Sequence, residues 1–294
     1  MNGQYSSQIC RTARGQSEPE RAASVKDDPE LAKGVTVTRI LDLLNLIASA
    51  RQTADVWSMA TGYFADLGFA RVNYGFSRFR HGASMGRPED MLFLSTFDPG
   101  YGEMYFGGGF YARTPLYRWA LDHDGLCTWR WVADRHAAGQ LAAEEAQAVA
   151  QNAALGLVAG VTISFPEASP RQKGALGLAA DPGLDHDDVD ALIAGEGPAL
   201  QAVAHAMHLR ICHLPFTPQR RTLSQRQREA LEWVAEGRTT QEVAMCMGIS
   251  VAMVEKHLRL ARQALDVETT AQAVAKGTLL NEILHNRLPP LAAE

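Results

Sequence analysis

LSQRQREALEWVAEGRTTQEVAMCMGISVAMVEKHLRLARQALDVETTAQAVA, residues 223–275, is a run of short helices punctuated by tight turns. Leu223-Ser224 sets an apolar staple residue before a hydroxyl N-cap, and Ala230, Leu231, Val234 and Ala235 follow at helical intervals. Gly237 closes that helix at a position suited to positive φ. Thr239 or Thr240 caps a second helix, with Val243, Ala244 and Met247 inward and Gly248 at the turn. Ser250 caps a third, whose buried stripe is Val254, Leu258, Ala261 and Leu265.

The other face of the third helix carries Lys256, His257, Arg259 and Arg262. A helix held across its partner with a basic outer face fits a major groove, its first turn (Val251, Ala252, Met253) against base edges. The segment resembles the LuxR-type helix-turn-helix through Leu223-Ser224, Leu231, Gly237, Ile249-Ser250, Val254 and His257. It departs from that pattern at Gln227, usually Glu, and at Met253, usually Thr. The resemblance implies double-stranded DNA as a partner, contacted by Thr239, Thr240, Ser250, Val251, Ala252, Met253, Lys256, His257, Arg259 and Arg262. A helical bundle that only packs on another protein is the competing reading, and the paired glycines and hydroxyl caps weigh against it.

Net charge is −5 over 294 residues, with 46% hydrophobic and 21% charged residues, ordinary for a globular chain of about two domains. Between Arg220 and Arg262 eight Lys/Arg face five Glu, a local excess of +3. So small an excess predicts weak, salt-sensitive DNA binding by one copy, and a homodimer on a two-fold symmetric site as the remedy. Cys10, Cys127, Cys212 and Cys246 show no metal or redox spacing and read as free thiols of a reducing compartment. No long apolar run suggests a membrane span and no signal-peptide order opens the chain, so the expected location is the cytoplasm.

Residues 1–33 are polar and predict a disordered tail; 34–213 read as one domain, 214–222, holding Pro215 and Pro218, as linker, and 223–294 as the helix-turn-helix domain. Helices are predicted over 35–50, 54–67, 142–155 and 187–209. Strands are predicted over 70–77, 91–97, 127–131, 160–165 and 175–179. The fold class is therefore α+β: an α-β-α sandwich around a mostly antiparallel sheet, followed by an all-α four-helix domain.

Tyr101, Tyr105, Thr114-Pro115 and Trp129, with Gly156 and Gly160, follow the spacing of the acyl-homoserine-lactone-binding domain that precedes this helix-turn-helix in quorum-sensing regulators. That resemblance implies a ligand pocket formed by Tyr101, Tyr105, Thr114, Trp129, Phe97 and Tyr74. A phenol at 101 can donate to a ring carbonyl, and Tyr105 and Trp129 offer flat apolar faces. The family's Asp, which accepts the ligand amide N–H, is Thr114 here, a loss of about 1–2 kcal/mol in that bond. A small-molecule signal other than the usual lactone follows. The same aromatics would equally serve as core filling.

Asp185-His186-Asp187-Asp188 reads as a helix start, not a metal cluster; Asp122–Gly125 as a polar turn; Gly107-Gly108-Gly109 as a flexible loop. Without a nucleophile elbow or phosphate loop the chain does not read as an enzyme, and no cofactor or metal is expected. The reading is a LuxR-type regulator, with RNA polymerase or another LuxR-type protein as further partners. The alternatives are a ligand-independent regulator or an inhibitory heterodimer partner, with which Glu255 in the third helix is compatible.

Overall fold

The computed structural model describes residues 29–82, 84–215 and 223–283. Two units emerge, Met1–Asp42 and Leu43–Glu294. Helix α1, Pro29–Ser49, begins inside the stretch read as a tail, so 29–33 are helical, while residues 1–28 lie outside the described residues. Within the second unit Ile47 of α1 is fully buried. Helix α2, Thr53–Asp66, buries Val56, Ala60 and Phe64 at intervals of four, the stripe of an amphipathic helix.

Five strands form one sheet: β1 Arg71–Ser77, β2 Leu92–Ser95, β3 Gly125–Thr128, β4 Gly160–Ser164 and β5 Lys173–Ala179. Their order is β2-β1-β5-β4-β3 and every pairing is antiparallel. Period-two alternation gives the sheet two different faces. Val72, Tyr74 and Phe76 of β1 are buried in an apolar layer, whereas Asn73 and Gly75 face a cavity on the opposite side. The long helix α7, His186–His213, packs on α2 and on β3 and β4. Asp185 caps it by accepting the Asp187 and Asp188 N–H groups, as a helix start requires.

The cavity side is covered by α3 Pro99–Gly102, α4 Pro115–Asp122, α5 Arg130–Ala137 and α6 Ala143–Ala154. Two sequence expectations fail here. Strand β3 stops at Thr128, and Trp129 instead starts α5 while its N–H donates to Gly160 O at 2.8 Å. The triple glycine is a tight corner: a π turn over Glu103–Gly107, Gly109 at φ +67°, then a 3-10 turn over Phe110–Arg113. Phe106 and Phe110, buried on either side, hold that corner.

The C-terminal helices are α8 Gln225–Ala235, α9 Thr240–Met247, α10 Val251–Leu265 and α11 Thr270–Leu279. Leu231, Val243, Val254, Ala261, Leu265 and Ala273 are fully buried between them. Capping boxes close three helix starts, at Ser224–Gln227, Thr239–Glu242 and Thr269–Gln272. Gln227 therefore does the work of the usual Glu, its Oε1 accepting the Ser224 N–H at 2.9 Å. Thr239, not Thr240, is the cap of α9. Of the expected linker, residues 216–222 lie outside the described residues.

Candidate functional site

An apolar-walled cavity of about 320 Å³ lies between the sheet and α3–α6. Phe97, Tyr101 and Tyr105 form a stack across it, with ring centroids 4.2 and 5.4 Å apart and planes within 17°. The helical turns at 99–107 set that stack, bringing residues 101 and 105 onto one face. Trp129 adds a wall. A Cβ on Gly160 would lie 2.3 Å from Leu178 O and 3.0 Å from the indole, so the glycine is what lets Trp129 lie against the sheet.

The polar groups of the cavity are largely spoken for. Trp129 Nε1 donates to Thr162 Oγ1 at 3.1 Å. Thr114, 6% exposed, caps α4: its hydroxyl donates to Tyr111 O at 2.8 Å and accepts the Tyr117 N–H at 3.3 Å. The Tyr105 phenol is hydrogen-bonded to Thr114 as well, and burial pushes its pKa up to about 12. Tyr101 is hydrogen-bonded to Asn73, with its pKa also raised by burial. Both phenols thus stay protonated at physiological pH. No Asp or Glu lines the cavity among the described residues; its one ammonium, Lys173, is 2.7 Å from the Asp124 carboxylate.

Five of the six expected ligand residues meet here: Phe97, Tyr101, Tyr105, Thr114 and Trp129. Tyr74 does not. It sits on the other sheet face, fully buried, its hydroxyl 2.9 Å from His208 Nδ1 and its ring against Phe165. The reason is the pleat: on β1 the cavity is reached by Asn73 and Gly75, so Tyr74 must point away. Sequence reasoning passed over Asn73, Met85, Met91, Phe93 and Phe106, which line the cavity. Only the β1 alternation offered a signal for any of them.

On α10, Val251, Ala252, Met253, Lys256 and Arg259 are exposed, and His257 is half-buried. Arg262 departs from the expected basic face: half-buried, it donates through Nη1 to Thr270 Oγ1 at 2.9 Å. The Ser250 and Thr239 hydroxyls accept the Met253 and Glu242 N–H groups at 3.3 Å each. Thr239 also donates to Glu242 Oε2 at 2.9 Å, and its backbone N–H bond holds that carboxyl below its usual range. Thr240 is half-buried at the first helical position.

A seam joins this helical region to the α/β body. The Arg78 guanidinium donates to Leu279 O, to Cys212 O and, at 3.0 Å, to Asn281 Oδ1. Asn281, in the left-handed region at φ 54°, returns its amide N–H groups to Cys212 O and Leu214 O at 2.8 and 3.0 Å. Lys276 and Asp90 pair at 2.7 Å with both side chains largely buried, and Phe79 packs on the helical core. The segment that supplies Phe79 and Asp90 also supplies Met85 and Met91 to the cavity.

Residues 52–211 match the family described as autoinducer binding domain, and residues 221–276 match bacterial regulatory proteins, luxR family. The chain is 34% identical over 112 residues to the HTH-type quorum sensing-dependent transcriptional regulator RpaR of Rhodopseudomonas palustris, covering 34% of this chain and 46% of that protein. It is 26% identical over 175 residues to the transcriptional activator protein TraR of Rhizobium radiobacter, covering 58% and 71%. The matched part thus spans about half the length of the first relative. The solved structure of Escherichia coli SdiA aligns at TM-score 0.47 and 20% identity, covering 85% of this chain and 99% of that one.

Proposed function

The chain belongs to the LuxR family of bacterial regulatory proteins that carry an autoinducer-binding domain, and from that premise we propose that it is a dimeric, cytoplasmic transcription regulator governed by a small molecule other than a standard acyl-homoserine lactone. The observation that carries the ligand reading is the state of Thr114. Its hydroxyl is committed to Tyr111, Tyr117 and Tyr105, so a ligand amide meets no carboxylate and no idle acceptor there. What the cavity offers instead is aromatic faces, with both phenols already hydrogen-bonded within the protein, a lining suited to a neutral molecule with an apolar body.

In this reading residues 34–213 sense the ligand, 214–222 connect, and 223–294 bind a two-fold symmetric duplex. Ligand that binds only the folded form stabilises it in proportion to the logarithm of concentration over Kd. Dimerisation doubles the few exposed cations that each α10 brings to DNA. The test is native mass spectrometry of protein purified from its own host. The expected result is a dimer carrying a neutral small molecule whose mass matches no acyl-homoserine lactone. A retained lactone overturns the ligand reading, and a monomer that stays monomeric on duplex DNA overturns the dimer.

A further inference from the structure

The first turn of α10 shows apolar side chains to water. Val251 and Met253 are each 39% exposed, and Ala252 is exposed between them. The nearest hydroxyl, that of Ser250, accepts the Met253 N–H as the helix cap. One turn on, the exposed side chains become Glu255, Lys256 and Arg259. The apolar turn is thus followed at once by cations, the charge that a phosphate backbone attracts. In a major groove the apolar group that a base pair displays is the thymine 5-methyl, which small aliphatic side chains contact. Glu255 cannot approach a phosphate without repulsion; the complementary group for its carboxylate is an exocyclic amino donor, the N4 of cytosine.

We propose, resting on the DNA-binding reading above, that Val251, Ala252 and Met253 select thymines by their methyl groups and that Glu255 selects a cytosine in the same half-site. Lys256 and Arg259, neighbours on one face of α10, hold the helix to the phosphate backbone. The sequence information then lies in methyl contact and one carboxylate, while the cations supply affinity that is indifferent to sequence.

The experiment selects duplexes from a randomised pool with the full chain at low salt, then remakes the enriched duplex with deoxyuridine for thymine. This substitution removes the methyl and leaves every base-pair hydrogen bond. Loss of one contacted methyl is expected to weaken binding about 4-fold, from roughly 0.8 kcal/mol per buried carbon, and both half-sites together about 16-fold. Deoxyuridine outside the half-sites changes nothing. Glu255→Gln is expected to trade the cytosine for adenine, whose N6 and N7 suit an amide. An enriched site that tolerates deoxyuridine throughout, with its preference unmoved by Glu255→Gln, overturns the inference and leaves DNA binding intact. Enrichment of no sequence at all overturns DNA binding itself.

Discussion

The α8–α11 region and the α/β body spend their side chains differently. Between Leu223 and Ile283 each helix start is closed by its own hydroxyl, and the interior is filled by short aliphatic residues. The α/β body instead keeps two layers: a filled one, where Phe165 and His208 stack and Tyr74 meets both edge-on, and a cavity of about 320 Å³ walled by Tyr101, Tyr105 and Trp129. A void forgoes the dispersion contacts a filled core would have, so the body leaves part of its stability to whatever occupies it. The helical region thus fills its own interior, while the α/β body leaves room for a guest.

That contrast can be broken at the seam. Lys276→Met leaves Asp90 as a buried carboxylate without its ammonium, an expected loss of about 3–5 kcal/mol. Differential scanning calorimetry should then resolve two transitions in place of a joint one; an unchanged trace would mean that the seam does not couple the halves. Leu231→Ala, in the filled core, is expected to cost about 2–5 kcal/mol. Duplex binding, read by anisotropy, should be lost, while ligand uptake by the cavity persists.

Thr114→Asp sharpens the comparison from the other side. Aspartate keeps the cap on Tyr117 N–H and adds a charged acceptor for an amide, so affinity for acyl-homoserine lactones should rise by about 1–2 kcal/mol. Thermal-shift titration with a lactone panel measures this, and no gain for any lactone would mean the cavity does not hold that ligand's geometry. The smallest effect is expected from Thr239→Ala, which removes one cap and about 1 kcal/mol. Chemical denaturation should register that loss in the helical region alone.

The helical region was legible because its signals are local: Ser224, Thr239, Ser250 and Gly248 mark boundaries within a turn of where they act. The cavity was half legible. Tyr101 and Tyr105 lie one helical turn apart and declare themselves, but Asn73, Met91 and Phe93 come from two strands and a loop that only the fold brings together. Tyr74 has the residue type of a pocket wall, yet the alternation of β1 turns it to the opposite face. Arg262 misled similarly, since the basic stripe of α10 says nothing of Thr270 across the next turn. The seam left no mark at all: Arg78 and Asn281, or Asp90 and Lys276, are far apart in sequence and ordinary in context.

Asn281 also fixes where this chain can be cut. The luxR-family match ends at residue 276, yet Leu280 and Ile283 are buried in the core and Gly277 leaves room beneath Ile283. A chain shortened to residue 276 would strip those two plugs from the bundle and leave Arg78, Cys212 O and Leu214 O without the amide that joins them. Any hybrid regulator assembled by exchanging heads and tails must therefore carry residues 277–283 with the tail, and Arg78 with the head, or lose the fastening between them.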